Sequence, residues 1–552
     1  MTAQRLAAQF QGKKILLTGA TGFVGKVVLS TILGKLPSVG KVVCLVRASS
    51  DAAAEDRFLK DVVASPALDP VRATYGLGLR DFVRSKVEVR AGDVGRERLG
   101  VDEARFKEMA RDLDLVIHCA GLVDFVPPLD KGLAANVDGT ERVLELAKAA
   151  GKGRCAFLHV STCFVAGEVD GQVQEELRPN EVPTSKKTGF SAFDYKKEIA
   201  EARKLVQRLL VEEVEDPQIQ NELWDEAEGN PRKVKRLAEI RAKRRLAEEG
   251  YARARKWGWP NTYCYTKALA ERLVEAARPE LGPTSIVRPA VVESAISYPQ
   301  PGWNQGINTC APLMWMCSRG MRYFPIPEKH VLDVIPVDLC VNNMLQVAGA
   351  LLGGQAKPIY QVGTSAVNPL ALRRVMELTS LAYRHADLPE SVFQKFLRKH
   401  TGSVTVPRET YQRFSFPGLA KVAKSVRGLI EKIPQPESRP NIRDLLEAAG
   451  RMAKNAERQL EHGAQVVELF MPFVCGPKYV FRTDNALALD RSLAPEDRAL
   501  IPYQPDKIDW RHYFLEVFIP GLERWTFPEL KEREGSATET VPVHASLVAL
   551  LE

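Results

Sequence analysis

Short runs of Val, Ile and Leu alternate with helical segments through the first third of the chain, and this alternation constrains the fold more than any other feature. KILLTGA (14–20), KVVCLVRA (41–48), VEVRAGD (87–93), LDLVIHCA (113–120) and CAFLHVST (155–162) read as strands, and TSIVRP (284–289) follows much later. Near-continuous apolar strands suit a sheet buried on both faces. FVGKVVLSTILGKL (23–36) and DGTERVLELAKAA (138–150) read as helices crossing between strands. The predicted class is α/β, with a doubly wound parallel sheet.

Two departures from this pattern set the expected domain organisation. Residues 195–258 form a helical insertion dense in charge, and 232–256 hold eleven Lys/Arg against three Asp/Glu. This excess equals the net charge of the whole chain, +8. One reading is a solvated helix with internal pairs such as Glu239–Lys243. The other is a surface for anionic groups: lipid headgroups at a membrane, coenzyme A phosphates or an acidic carrier protein. No aromatic interleaving or recognition motif points to nucleic acid. After residue 355 the composition shifts. IPQPESRPN (433–441) reads as a linker, IRDLLEAAGRMAKNAERQLEHGAQVVELF (442–470) as helix, and the last part is aromatic-rich. The expected division is 1–355, a dinucleotide-binding domain, and 356–552, a second and mainly helical domain.

Composition excludes several classes. Of the 552 residues, 45% are hydrophobic and 26% charged, close to globular usage and against wholesale disorder. The nine cysteines are scattered without a CxxC, which points to a reducing compartment with no disulfide framework. The eight histidines are dispersed without HExxH spacing, so no metal is expected. The start, MTAQRLAAQFQGKK, lacks the apolar core of a signal peptide, and no apolar run reaches the length of a membrane span. A soluble, cytoplasmic protein is expected.

The strand KILLT runs directly into TGATGFVG, which sets Gly19, Gly22 and Gly25 at a strand-to-helix turn, with Thr21, Phe23 and Val24 between and after them. One glycine allows the tight turn, one lets a pyrophosphate approach the backbone, and one lets the helix pack closely on the strand. The helix that follows offers free N–H groups to the phosphates. The second strand ends in LVRASSD. At this edge an acidic residue takes a ribose 2′-hydroxyl and an arginine accommodates a 2′-phosphate. Arg47 favours NADPH, and Asp51 is the rival candidate.

NTYCYTKALAERLVEAA (261–277) reads as a helix, on which Tyr263 and Lys267 share one face. A free tyrosine is a sluggish acid near neutrality, and an adjacent ammonium would pull its pKa down toward the working range. Tyr265 has Leu269 at i+4 and so lacks a lysine partner. A hydroxyl at a strand end completes such a relay, and HVSTCFVAG (159–167) supplies Ser161 and Thr162. Either could instead satisfy local backbone.

TGATGFVG, AGDV (91–94), HCAGLVDF (118–125), the segment around Asn136, VSTCFVAG and Tyr263-x-x-x-Lys267 occur in the order found in extended short-chain dehydrogenases/reductases, a Rossmann superfamily. More narrowly, the chain resembles the alcohol-forming fatty acyl-CoA reductases. WPNTYCYTKALAERLV, IVRPAVVESAISYPQPGW, HVLDVIPVDLCVN (330–342) and FRTDNALAL…IDWRHYFLEVFIPGLERW (481–525) carry that likeness, while 195–258 and the tail from about 530 match least.

The resemblance implies NADPH held by the glycine turn and Arg47. Asp93 and Val94 would flank the adenine, and Cys119, Ala120 and Gly121 would line the cofactor. Thr162, with Ser161 beside it, Tyr263 and Lys267 would be catalytic, and the second domain would help enclose the acyl chain. Reduction of a fatty acyl-CoA to a primary alcohol through an aldehyde, with two NADPH consumed, is the implied reaction. An aldehyde-releasing reductase of acyl-CoA or acyl carrier protein is the nearest alternative. A nucleotide-sugar epimerase or dehydratase, or a non-enzymatic NADPH sensor, is more distant. Two features depart from the family's usual form. Thr162 and Tyr263 stand 101 residues apart, and VPVHASLVALLE (541–552) is too short for the C-terminal membrane anchor of animal and insect relatives.

Overall fold

The computed structural model describes residues 5–535 except 152, 185–192, 308–309, 319–320, 322, 326, 328–329, 385–403, 434–439 and 475–477. Seven strands form one parallel sheet: β1 (Lys14–Thr18), β2 (Lys41–Val46), β3 (Val87–Ala91), β4 (Leu115–His118), β5 (Ala156–Val160), β6 (Thr284–Pro289) and β7 (Ile359–Val362). Their spatial order is β7-β6-β5-β4-β1-β2-β3. The order reverses at β1, between β4 and β2, and this is where a doubly wound sheet opens a crevice at its carboxyl edge. Alternate residues feed opposite faces: Ile15 and Leu17 enter one core cluster, and Leu16 enters the other with Val43, Val116 and Phe157. A strand with both faces covered is therefore mostly apolar along its length.

Six of these strands are the apolar runs of the sequence. The seventh, Ile359–Val362, lies beyond residue 355, so the parallel sheet continues past the point where the composition shifts. Most of the chain after it is helical. The 433–441 linker falls largely on residues outside the described set, and the helix Pro440–Val474 begins within its last two residues. VPVHASLVALLE likewise lies outside the described residues.

Helix α1 (Phe23–Lys35) follows β1, and α2 (Gly139–Ala149) precedes β5. The insertion is three helices: α3 (Tyr195–Glu215), α4 (Pro217–Glu226) and α5 (Pro231–Trp257). Asp194, Asp216 and Asn230 cap their first turns with side-chain acceptors. The expected Glu239–Lys243 pair is not among the ion pairs of the described residues. Arg244–Glu248 at 2.8 Å is the pair along α5, while Arg241, Arg245 and Arg253 reach across to α3 and α4 and Arg255 reaches Glu168. Arg245 meets Glu213 at 2.6 Å and Glu212 at 3.0 Å, Arg253 meets Glu198 at 2.9 Å, and Arg241 meets Glu222 at 2.9 Å. Much of the excess charge of α5 is therefore neutralised within the insertion. The i+4 rule missed these pairs because the partners lie tens of residues away in sequence.

Residues after 355 pack back onto the sheet. The short strand Tyr479–Phe481 pairs in parallel with Gly171–Val173, and the Tyr513 hydroxyl donates to the Ser294 carbonyl at 2.7 Å. Gly302 lies so close to Gly521 that a Cβ at Gly521 would stand 2.1 Å from the Gly302 carbonyl oxygen.

Candidate active site

The carboxyl edge of β1, β4 and β5 brings the predicted motifs together. At the glycine turn, Gly19 has φ +79°, and a Cβ there would meet the Ala120 amide nitrogen at 2.8 Å. A Cβ at Gly25 would stand 2.1 Å from the Gly19 carbonyl oxygen, so α1 leaves the strand at a distance only glycine permits. Thr18 Oγ1 accepts from the Ala120 N–H at 3.1 Å and ties the turn to the segment Cys119–Gly121 after β4. Such a backbone cradle at a helix start, without side chains in the way, fits a dinucleotide pyrophosphate.

The ribose edge separates the two candidates. Arg47 is exposed beyond the end of β2. Asp51 is engaged elsewhere: it accepts from the Ala91 N–H at 2.8 Å, bonds Arg105, and lies 3.5 Å from Arg90. Burial pushes its carboxyl pKa up, but the Ala91 bond and the Arg105 and Arg90 charges outweigh that and hold it below its ordinary value. Asp93 accepts from the Gly95 N–H at 2.9 Å within its own turn, and the Val94 carbonyl accepts from Arg142 at 3.2 Å.

Helix α6 (Thr262–Ala277) carries the tyrosine and the lysine. Asn261 caps it by accepting from the Cys264 N–H at 2.9 Å, which sets Tyr263 in the first turn. The Tyr263 phenol lies beside the Thr162 hydroxyl, which accepts from the Phe164 N–H at 3.3 Å. Ser161 is buried, and its Oγ has no hydrogen-bond partner. Tyr265 is turned elsewhere, with its hydroxyl donating to Glu198 at 2.7 Å.

Lys267 is buried and donates to the Val160 carbonyl at 2.6 Å, with His159 Nε2 at 3.3 Å. Burial lowers its pKa to about 8 despite opposing contributions from Glu271 and Cys119. The expected depression of the tyrosine pKa is not what the structure has. Burial pushes the Tyr263 phenol up, Cys264 and Cys119 add to this, and only the neighbouring Thr162 hydroxyl opposes it. The reason is geometric, since the ammonium is turned onto strand β5.

Sequence reasoning missed two histidines behind the lysine. His118 bridges Thr18 Oγ1 at 2.8 Å and Thr140 Oγ1 at 3.1 Å, and burial with the nearby Lys267 charge lowers its pKa to about 3. His159 is likewise driven well below its ordinary value, by burial first. Both rings are therefore neutral, and an imidazole facing an ammonium through Nε2 carries its own proton on Nδ1. The signal was available, because His118 ends β4 and His159 is the penultimate residue of β5, each in a strand whose other residues are apolar. Asn136 is a third organiser. Its Oδ1 accepts from the Leu122 N–H at 2.8 Å and its Nδ2 donates to Thr266 at 3.0 Å, clamping the β4 loop to α6.

The mouth of the crevice is partly aromatic. Phe23 stacks on the buried Trp303 with ring centroids 5.3 Å apart. The loop leading to Trp303 is held by Asp338, which accepts from the N–H groups of Ile296, Ser297 and Tyr298 at 2.8 to 3.0 Å. Among the described residues, no cluster of His, Cys, Asp and Glu could hold a metal ion, and no helix is long and apolar enough to cross a membrane.

Comparison with known proteins agrees with this geometry. The chain is 29% identical over 524 residues to fatty acyl-CoA reductase 8 of Arabidopsis thaliana, covering 93% of this chain and 97% of that protein. It is 31% identical over 370 residues to the alcohol-forming fatty acyl-CoA reductase of Simmondsia chinensis, covering 66% of this chain and 69% of that protein. Among solved structures, the terminal R domain of the myxalamid PKS-NRPS pathway superposes with a TM-score of 0.54 at 16% identity, over 92% of this chain and 90% of that one, a likeness of fold. A sequence model described as male sterility protein matches residues 17–344, well over half of the chain. By that match and by the Simmondsia relative, this protein belongs to the fatty acyl-CoA reductase family, nicotinamide-dependent oxidoreductases of the extended short-chain dehydrogenase/reductase superfamily.

Proposed function

We propose that the protein reduces a long-chain fatty acyl-CoA to the primary alcohol, releasing coenzyme A and consuming two NADPH per acyl group. The observation that carries this reading is the convergence of Thr162, Tyr263 and the buried Lys267 at the same sheet edge as the glycine turn. The alcohol as product is supported by the likeness to the Simmondsia enzyme, whose name states it. The preference for NADPH is supported by Arg47, exposed at the ribose edge, and by the commitment of Asp51 to Arg90 and Arg105.

The chemistry NADPH supplies is hydride delivery to the acyl carbonyl carbon. Thr162 and Tyr263 donate hydrogen bonds to the carbonyl oxygen as charge develops on it, and Tyr263 passes its proton to that oxygen. Lys267, beside the tyrosine on α6, holds the ribose end of the site and restores the proton balance. The thiohemiacetal then collapses by breaking its C–S bond, with coenzyme A leaving as the thiol, and the same residues act again on the aldehyde carbonyl. Gly19, Thr21, Gly22, Phe23, Val24 and Gly25 hold the pyrophosphate, Asp93 and Val94 the adenine, and Cys119, Ala120 and Gly121 the face between. Ser161, buried without a partner, supports Thr162 from the adjacent position. The chain after 355, apart from the sheet strand β7, forms the acyl-binding domain.

The test is an assay with palmitoyl-coenzyme A that follows NADPH loss, free thiol and lipid product together. Two NADPH per thiol with hexadecanol as product is expected. One NADPH per thiol with accumulating aldehyde would assign the two-electron reaction, and thiol release only from an acyl carrier protein would replace the donor.

A further inference from the structure

Helix α7 (Phe416–Glu431) and helix α8 (Pro440–Val474) form an antiparallel hairpin. Its seam is defined by three contacts. A Cβ at Gly463 would meet the Phe416 ring at 2.8 Å, Arg427 pairs with Glu457 at 2.7 Å, and a Cβ at Gly450 would lie 3.8 Å from Ile430. Leu419, Val422, Val426, Leu429 and Ile433 follow an i, i+3, i+7, i+10, i+14 spacing along and just past α7, yet they are 44 to 65% exposed. Leu445 and Met452, seven apart on α8, are 68 and 72% exposed.

These residues make one surface. Val426 and Leu429 directly precede the seam residues Arg427 and Ile430, and Leu445 and Met452 directly precede positions one helical turn from Gly450 and Glu457. In an antiparallel helix pair, positions preceding the seam on both partners fall on the same side. The hairpin therefore presents a two-helix apolar face to solvent, larger than the scattered exposed residues of an ordinary surface.

The charge around this face indicates its partner. Lys421 and Lys432, which flank the α7 stripe, have no ion pair among the described residues, whereas Lys424 and Lys454 lie near Glu457, and Glu431, Glu447, Glu457 and Glu468 each pair with an arginine. Unneutralised cations beside an apolar helical stripe match a surface of acyl chains beneath anionic headgroups. A second copy would bring the same lysines against one another.

We infer that the α7–α8 hairpin lies on the surface of an anionic phospholipid bilayer with its apolar face inserted among the lipids. The docking role considered for the basic helix α5 passes to this hairpin, because most of the arginines of α5 are already paired within the protein. The inference does not depend on the proposed reaction.

Flotation of the full chain with phosphatidylcholine vesicles, with and without phosphatidylserine, tests it. Wild type should float with the phosphatidylserine vesicles, and Val422→Ser with Leu429→Ser should weaken this by roughly tenfold or more. Lys421→Glu with Lys432→Glu should weaken it comparably and independently of any packing change. Lys235→Gln with Arg236→Gln on α5 should float as wild type does. The melting temperature of each variant confirms that it folds. Failure of wild type to float, equal flotation with both vesicle types, or unchanged flotation of Val422→Ser with Leu429→Ser would overturn the inference. A wild-type dimer that this variant turns into a monomer would also overturn it, making the face a self-contact.

Discussion

Lys267 donates a hydrogen bond to the Val160 carbonyl at 2.6 Å and holds His159 Nε2 at 3.3 Å, so a buried ammonium rests on strand β5 with two neutral acceptors and no carboxylate bonded to it. An ammonium with its pKa lowered to about 8 binds its proton less tightly when folded than when unfolded. Between about pH 8 and 10.5 the unfolded chain therefore carries the extra proton, and stability from this group rises with pH across that window. Below pH 8 the burial penalty is fully present. Lys267→Met should raise stability at pH 7 by on the order of 3 kcal/mol, with the gain fading toward pH 10.5. Urea unfolding at the two pH values measures it, and an equal gain at both would contradict the assignment.

Tyr263→Phe removes the hydroxyl beside Thr162 but keeps the ring. Acyl-CoA-dependent NADPH oxidation should fall by about a hundredfold or more, while NADPH binding, measured by fluorescence titration, changes by less than about threefold. Tyr265→Phe makes a contrasting control. It removes the bond to Glu198 and should cost stability with turnover retained. Near-normal turnover in Tyr263→Phe would remove the tyrosine from the mechanism.

Arg47 and Asp51 make separable predictions about the cofactor. Arg47→Ala should weaken NADPH about tenfold and leave NADH almost unchanged, since only the former has a 2′-phosphate for the guanidinium to meet. Asp51→Asn should instead lower the melting temperature, because it discharges the acceptor shared by Arg90 and Arg105, and should leave the ratio of NADPH to NADH affinity intact. Titration of both cofactors into both variants separates the roles.

Two glycines bracket the steric argument. Gly25→Ala would drive a Cβ into the Gly19 carbonyl oxygen, a backbone atom that cannot move without opening the turn, so soluble yield and cofactor binding should both be lost. Gly428→Ala, in helix α7, meets nothing within 4 Å and should stabilise by about 0.5–1 kcal/mol. Thermal melts of the two variants check both signs.

What the amino-acid order determined by itself was whatever repeats over a short distance. Continuous apolar runs marked six of the seven strands because both faces of a parallel sheet are covered. The glycines of TGATGFVG marked the turn, since a Cβ at Gly19 or Gly25 would strike backbone, and the four-residue spacing put Tyr263 and Lys267 on one helix face. Strand β7 was harder to read, being a four-residue run in a region of changed composition whose only signal is burial. Tertiary structure alone decided which group stands opposite which. It committed Asp51 to Arg105, set His159 behind Lys267, turned that lysine onto Val160, and paired Arg253, Arg245 and Arg241 of α5 with Glu198, Glu213 and Glu222. The physical reason is range. Burial and helical phase are encoded by neighbours a few residues away, whereas hydrogen bonds, ion pairs and the pKa values they set depend on residues brought together only when distant segments pack.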